Sequence, residues 1–109
     1  MSLFELSTEM NETTVRLVLT GELDIASAGR LERELEQVEQ TVPAVLVLDL
    51  RELRFMDSTG LRIVLSADAR AREQSRRLVV VQGPEPVQRL FHMTRLDERL
   101  EIVDDLAAV

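Results

Sequence analysis

Val45-Leu46-Val47-Leu48-Asp49-Leu50 is the stretch on which the fold turns, because it is almost continuously apolar. A strand of that composition is covered on both faces, as in a parallel sheet, rather than lying half open to water. A second such strand follows at Leu78-Val79-Val80-Val81. Between them, Ser58 to Glu73 has the character of a helix, so the three segments predict a βαβ unit with a right-handed crossover.

Working outward, Phe4-Glu5-Leu6-Ser7 and Val15-Arg16-Leu17-Val18-Leu19-Thr20 alternate apolar and polar residues. A period of two buries one face, so these predict paired strands joined by a hairpin within the polar segment 10–14. Gly21-Glu22-Leu23-Asp24 breaks the alternation. After it Ile25, Ala28, Leu31, Leu35 and Val38 recur at spacings of three and four, with Glu32, Glu34, Glu36 and Glu39 opposite. That pattern predicts an amphipathic helix, with Asp24 capping its first turn. Gly83-Pro84-Glu85-Pro86 opens a third, short helix that carries Val87, Leu90 and Phe91 on one face, and Leu100-Glu101-Ile102-Val103 reads as a last short strand. The expected order is β-β-α-β-α-β-α-β. This is an α/β chain built as a single mixed β-sheet of about five strands with three to four helices, one domain over residues 1–109.

Composition narrows the chemistry. There is no cysteine, hence no disulfide, thiolate nucleophile or cysteine metal site, and the single histidine, His92, has no second imidazole to share a metal with. All 13 basic residues are arginine. Without lysine there is no phosphate-binding P-loop lysine and no Schiff base. An arginine-only basic set fits a GC-rich, bacterial genome. The formal charge of −7 argues against nucleic acid. That charge resides entirely in residues 1–50, which hold ten acids and three arginines, whereas residues 51–109 hold ten of each. No apolar run approaches the ~20 residues of a membrane span and no signal peptide opens the chain, so a cytoplasmic protein with no cofactor and no membrane insertion is expected.

Phe55-Met56-Asp57-Ser58-Thr59-Gly60-Leu61 lies between a buried strand and its crossover helix, at the sheet edge where ligands and partners meet open α/β folds. Asp57 or Ser58 suits the helix cap, and Gly60 keeps the first turn bare for close approach by a backbone or a phosphate. A hydroxyl here stands at the positive end of the helix dipole. Two readings stand side by side: a cap and turn with no further role, or a hydroxyl placed for modification. Leu61, Ile63, Val64 and Leu65 make the helix start apolar nearly all round, so it is either wedged deeply or turned in part toward a partner. Phe55 is expected in the core, while Met56 fits core or interface. His92 is expected to be packed or exposed without a catalytic partner, and Asp104-Asp105 to lie solvated in a frayed tail.

Two of these segments, Gly21-Glu22-Leu23-Asp24 and Asp57-Ser58-Thr59-Gly60-Leu61, occur in that order on the two strand–helix junctions. In this the sequence resembles the STAS domain of anti-sigma factor antagonists over essentially its whole length. The resemblance implies a domain that, when unphosphorylated, binds an anti-sigma factor that is also a serine/threonine kinase, and so frees the sigma factor. It implies Ser58 as the phosphoacceptor, with Thr59 a minor site and a phosphatase resetting the switch. The implied contact surface is Asp24, Met56, Asp57, Ser58, Thr59, Gly60, Leu61 and Arg62.

A phosphate adds about two negative charges beside Asp57, and like charges inside a contact surface cost several kcal/mol. Arg62, one helical turn on, is read as a solvated arginine. A second job on the same fold is that of accessory subunit of an ABC-type lipid transporter, gripping its ATPase through the same helix start. An enzyme or nucleotide-binding protein fits poorly, because neither motif has the glycine spacing or lysine of a phosphate cradle.

Overall fold

The computed structural model describes residues 3–109. Five strands form one sheet whose spatial order is the chain order: β1 (Phe4–Asn11), β2 (Thr14–Leu23), β3 (Val45–Met56), β4 (Arg77–Val81) and β5 (Glu101–Val103). β1 and β2 are antiparallel, and every later neighbouring pair is parallel. Helices α1 (Ala28–Gln40), α2 (Ser58–Glu73) and α3 (Glu85–Met93) make the crossovers, and single 3-10 turns sit at Leu96–Glu98 and Leu106–Ala108. This is the expected order and the expected mixed sheet.

The long apolar run in β3 is explained by its two faces. Leu46, Leu48 and Leu50 enter the main core with Leu17, Leu19 and Leu23 of β2, Leu31 and Leu35 of α1 and Val64 of α2. Val47 and Val79, on the other face, are also buried. There the chain's last turn folds back, so that Leu106 and Val109 line a groove with Val47 and Arg16. The tail is therefore ordered rather than frayed. Asp104 accepts a hydrogen bond from Gln82 Nε2 at 2.9 Å, and Asp105 caps the last turn through Ala107 N at 2.9 Å.

Asp49 interrupts the apolar run because it too faces that second side, where it is 1% exposed. Its carboxylate accepts from Arg16 Nη1 at 2.8 Å and from Arg51 Nε and Nη2 at 2.9 and 2.8 Å. Burial pushes its pKa up, but the hydrogen bonds and charge of Arg51 and the hydrogen bond of Arg16 outweigh that and hold it below the usual 3.8. Arg16 reaches Glu9 of β1 as well, which gives a charge ladder across three strands.

α1 begins later than the periodicity suggests. Asp24 does not cap it: Asp24 Oδ1 accepts from Ala26 N at 3.0 Å and Ser27 N at 3.2 Å, closing a separate turn before the helix. Ile25 lies in that turn and is 81% exposed instead of buried. The helix then buries Ala28, Leu31, Leu35 and Val38. For α2 the wedged reading holds, since Leu61, Ile63, Val64, Ala67 and Ala71 are all buried. Arg70 forks onto Glu39 at 2.7 and 2.8 Å and clamps α2 to α1.

Candidate functional site

Two turns meet at the end of the sheet where β2 and β3 stop. Leu23 and Met56 are register partners there, and Asp57 N donates to Leu23 O at 3.2 Å. The chain leaves β2 through Asp24 and leaves β3 through Asp57, so the two acidic residues follow paired positions in neighbouring parallel strands.

The Asp24 turn is held from inside. Ser27, 7% exposed, donates its hydroxyl to Glu22 O at 2.9 Å and accepts from Asp24 N at 3.0 Å. Sequence reading passed over Ser27, although a serine three residues after an aspartate at a strand end is a turn signal of the kind that would have found it. Gly21, just upstream, has φ +97°, and a Cβ there would stand 1.9 Å from Leu3 O. Only glycine lets the N-terminal strand lie that close.

In the Ser58 turn Asp57 is the cap. It has extended backbone, and its carboxylate accepts from Thr59 N at 2.9 Å and Gly60 N at 3.4 Å. Ser58 is therefore the first helical residue, not the cap. Its side chain is exposed, and no hydrogen bond among the described residues uses its hydroxyl. Thr59 is half-buried and Arg62 is exposed, with no ion pair to Arg62 among the described residues.

Three residues expected on the contact surface lie inside. Met56 and Leu61 are each 6% exposed, and Gly60 is buried. What approaches Gly60 is the molecule's own packing: a Cβ there would meet Leu23 Cδ2 at 2.7 Å and Met56 Cγ at 2.8 Å. The bare first turn thus serves to seat α2 against the strand ends, not to admit an outside group. Phe55, expected in the core, is 46% exposed. The reason is a bulge. Leu53 pairs with Gly21 but Phe55 with Glu22, so Arg54 is an extra residue, and Met56 takes the core-facing place that alternation from Leu53 would give to Phe55. Phe55, just before the Ser58 turn, and Ile25, in the Asp24 turn, are thus both exposed apolar side chains.

His92 is exposed at the far end of α3, with Nδ1 3.0 Å from Asp97. Among the described residues no cluster of acids and imidazole is arranged to hold a metal, and no helix is long and apolar enough to cross a membrane.

The family model described as "Mlab, STAS domain" matches residues 6–104. An anti-sigma-B factor antagonist of Listeria monocytogenes is 31% identical over 94 residues, covering 86% of this chain and 82% of that protein. Among solved structures, an anti-sigma factor antagonist from Mycobacterium paratuberculosis superimposes with a TM-score of 0.87 at 25% identity, covering 96% of this chain and 89% of the other. The anti-sigma factor antagonist SpoIIAA in its unphosphorylated form has the same fold, with a TM-score of 0.81 at 21% identity over 95% of this chain and 92% of that one.

Proposed function

The chain belongs to the STAS domain family of anti-sigma factor antagonists, and on that premise we propose that it is a phosphorylation-controlled binding module and not an enzyme. Its unphosphorylated form binds an anti-sigma factor that is also a serine/threonine kinase, and the sigma factor goes free. Phosphate on Ser58 ends the binding until a phosphatase removes it, with Thr59 a minor acceptor. The chain works as one domain over residues 1–109, in the cytoplasm and without a cofactor.

One observation carries this reading: Ser58 presents an exposed, unbonded hydroxyl at a helix start capped by Asp57. Asp57 already occupies Thr59 N and Gly60 N, the donors a phosphate at a helix N-terminus would otherwise take. A phosphate on Ser58 therefore stays outward, adding about two negative charges beside Asp57. Inside a contact surface that repulsion costs several kcal/mol, and every ~1.4 kcal/mol is tenfold in affinity. The switch needs no change of fold. The contact surface is formed by Asp24, Ile25, Phe55, Asp57, Ser58, Thr59 and Arg62, while Met56, Gly60 and Leu61 hold it from beneath.

The test is intact mass after incubation with ATP and the cognate kinase, followed by peptide mapping. One added phosphate, on Ser58 and absent from Ser58→Ala, is expected. A folded chain that takes no phosphate from any cognate kinase, yet co-purifies with a transporter ATPase, would overturn the switch in favour of the accessory-subunit role.

A further inference from the structure

β1 stands at one edge of the sheet, paired on one side only. Leu3 O accepts from Glu22 N at 2.8 Å, which sets the odd-numbered residues of the strand toward β2. The carbonyl of Phe4 points the other way and is taken by the Arg30 guanidinium, whose Cζ lies 5.6 Å over the Phe4 ring. Leu6, Thr8 and Met10 share Phe4's direction. No hydrogen bond among the described residues reaches their outward N–H and C=O groups.

Proteins blunt such edges with proline, charged side chains (lysine above all), bulges, very short strands or a covering element. On β1 the charges are Glu5 and Glu9, both acidic, and Arg30 covers the edge at Phe4 alone. The strand spans eight residues, its register with β2 is unbroken, and it contains neither proline nor lysine. Its flanks differ in chemistry. Glu5 and Glu9 lie on one face, Glu9 in a pair with Arg16. On the other face are half-buried Leu6, 61%-exposed Met10, and Thr8, which donates to Glu34 of α1 at 2.6 Å.

A second copy is a weaker occupant. The antiparallel register that opposes all four outward residues to their counterparts is centred on Ser7, and it sets Glu5 opposite Glu9 twice; registers shifted by two residues avoid this but leave one outward residue of each copy without a counterpart. Like charges directly opposite are destabilising, and each copy carries −7. A strand that alternates basic and apolar residues meets both flanks correctly, with cations over Glu5 and Glu9 and apolar side chains beside Leu6 and Met10.

The geometry points to β1 as a docking edge for a basic, extended segment of a partner protein, added as a sixth strand. This is independent of Ser58. The probe is an acetylated peptide of alternating arginine and valine, long enough to span the strand (~9 residues at ~3.4 Å each), with an alternating glutamate–valine peptide as control. Amide exchange followed by ¹H–¹⁵N NMR on the full chain is expected to slow at Leu6, Thr8 and Met10 with the basic peptide only. Thr8→Pro leaves the circular dichroism unchanged, since that N–H bonds nothing in the free chain, but weakens binding at least ~tenfold. Joint Glu5→Gln and Glu9→Gln substitution weakens binding and flattens its salt dependence. No added protection at the three amides, equal binding of the acidic control, or the same protection from dimerisation without peptide would each overturn the proposal.

Discussion

Asp57 donates its backbone N–H to the carbonyl of Leu23 at 3.2 Å, and through that bond the turn bearing Ser58 is fixed to the turn bearing Asp24. Gly60 completes the joint, because only a hydrogen at its Cα fits against Leu23 and Met56. Gly60→Ala is expected to lower stability by about 1–3 kcal/mol through overpacking, and Asp57→Ala by about 1 kcal/mol through loss of the cap. Urea denaturation measures both. Unchanged midpoints would mean that the joint is loose.

At Ser58, stability and binding are expected to separate. The side chain is exposed and unbonded, so Ser58→Ala and Ser58→Asp should each stay within about 0.5 kcal/mol of the parent in urea. Calorimetry against the kinase partner is expected to show parent-like affinity for Ser58→Ala and at least ~tenfold weaker binding for Ser58→Asp. Equal affinities would remove the charge-based switch.

The exposed apolar pair makes the opposite contrast with the buried leucine. Ile25→Ala should leave the thermal midpoint almost unchanged, because that side chain is 81% exposed, and Phe55→Ala, 46% exposed, should lower it less than Leu61→Ala does. Each of the exposed pair is expected to weaken the same complex by about 1–2 kcal/mol. Leu61→Ala should instead destabilise the fold by about 2–5 kcal/mol. If Ile25→Ala and Phe55→Ala bind like the parent, the contact surface lies elsewhere.

Asp49 gives the stability a defined pH dependence. Burial raises its pKa, and the hydrogen bonds and charge of Arg51 together with the hydrogen bond of Arg16 prevail and lower it below 3.8 in the folded state. A depressed folded pKa means that the contribution is fully present above the unfolded value and disappears as pH falls through the folded one. Asp49→Asn should therefore lose stability near neutral pH, by about 1–3 kcal/mol. Its decline in stability below about pH 4 should be shallower than the parent's. Parallel acid-unfolding curves would exclude Asp49 as a contributor.

Val42 occupies the left-handed region at φ 53° while 69% exposed. A β-branched residue is strained there, so Val42→Gly is expected to stabilise by about 1 kcal/mol, read as a rise in thermal midpoint. A fall would show that the turn tolerates valine without strain.

Much of this molecule was legible in its residues because the relevant signals are local. Two apolar runs, two alternating segments, three helical stretches and the short run 100–103 are enough to give the element order, and Asp57 and Ser58 sit on a strand–helix junction that can be read directly. The errors have equally definite causes. Ile25 fits the helical spacing of α1, but Asp24 and Ser27 close a turn of their own before the helix begins. In β3 two register shifts, one between Asp49 and Glu52 and one at Arg54, move the core-facing places to Leu53 and Met56 and leave Phe55 outward.

What the amino-acid order alone determined is the set of elements, their sequence along the chain and the placement of a hydroxyl beside an acid at one helix start. Those follow from hydrophobic period and from backbone preferences that act over a few residues. Tertiary structure alone decided which side chains around that hydroxyl face outward. Met56, Gly60 and Leu61 went inward and Phe55 outward, because bulges and close packing between strands distant in sequence set the face of each residue, and Ile25 went outward with the Asp24–Ser27 turn.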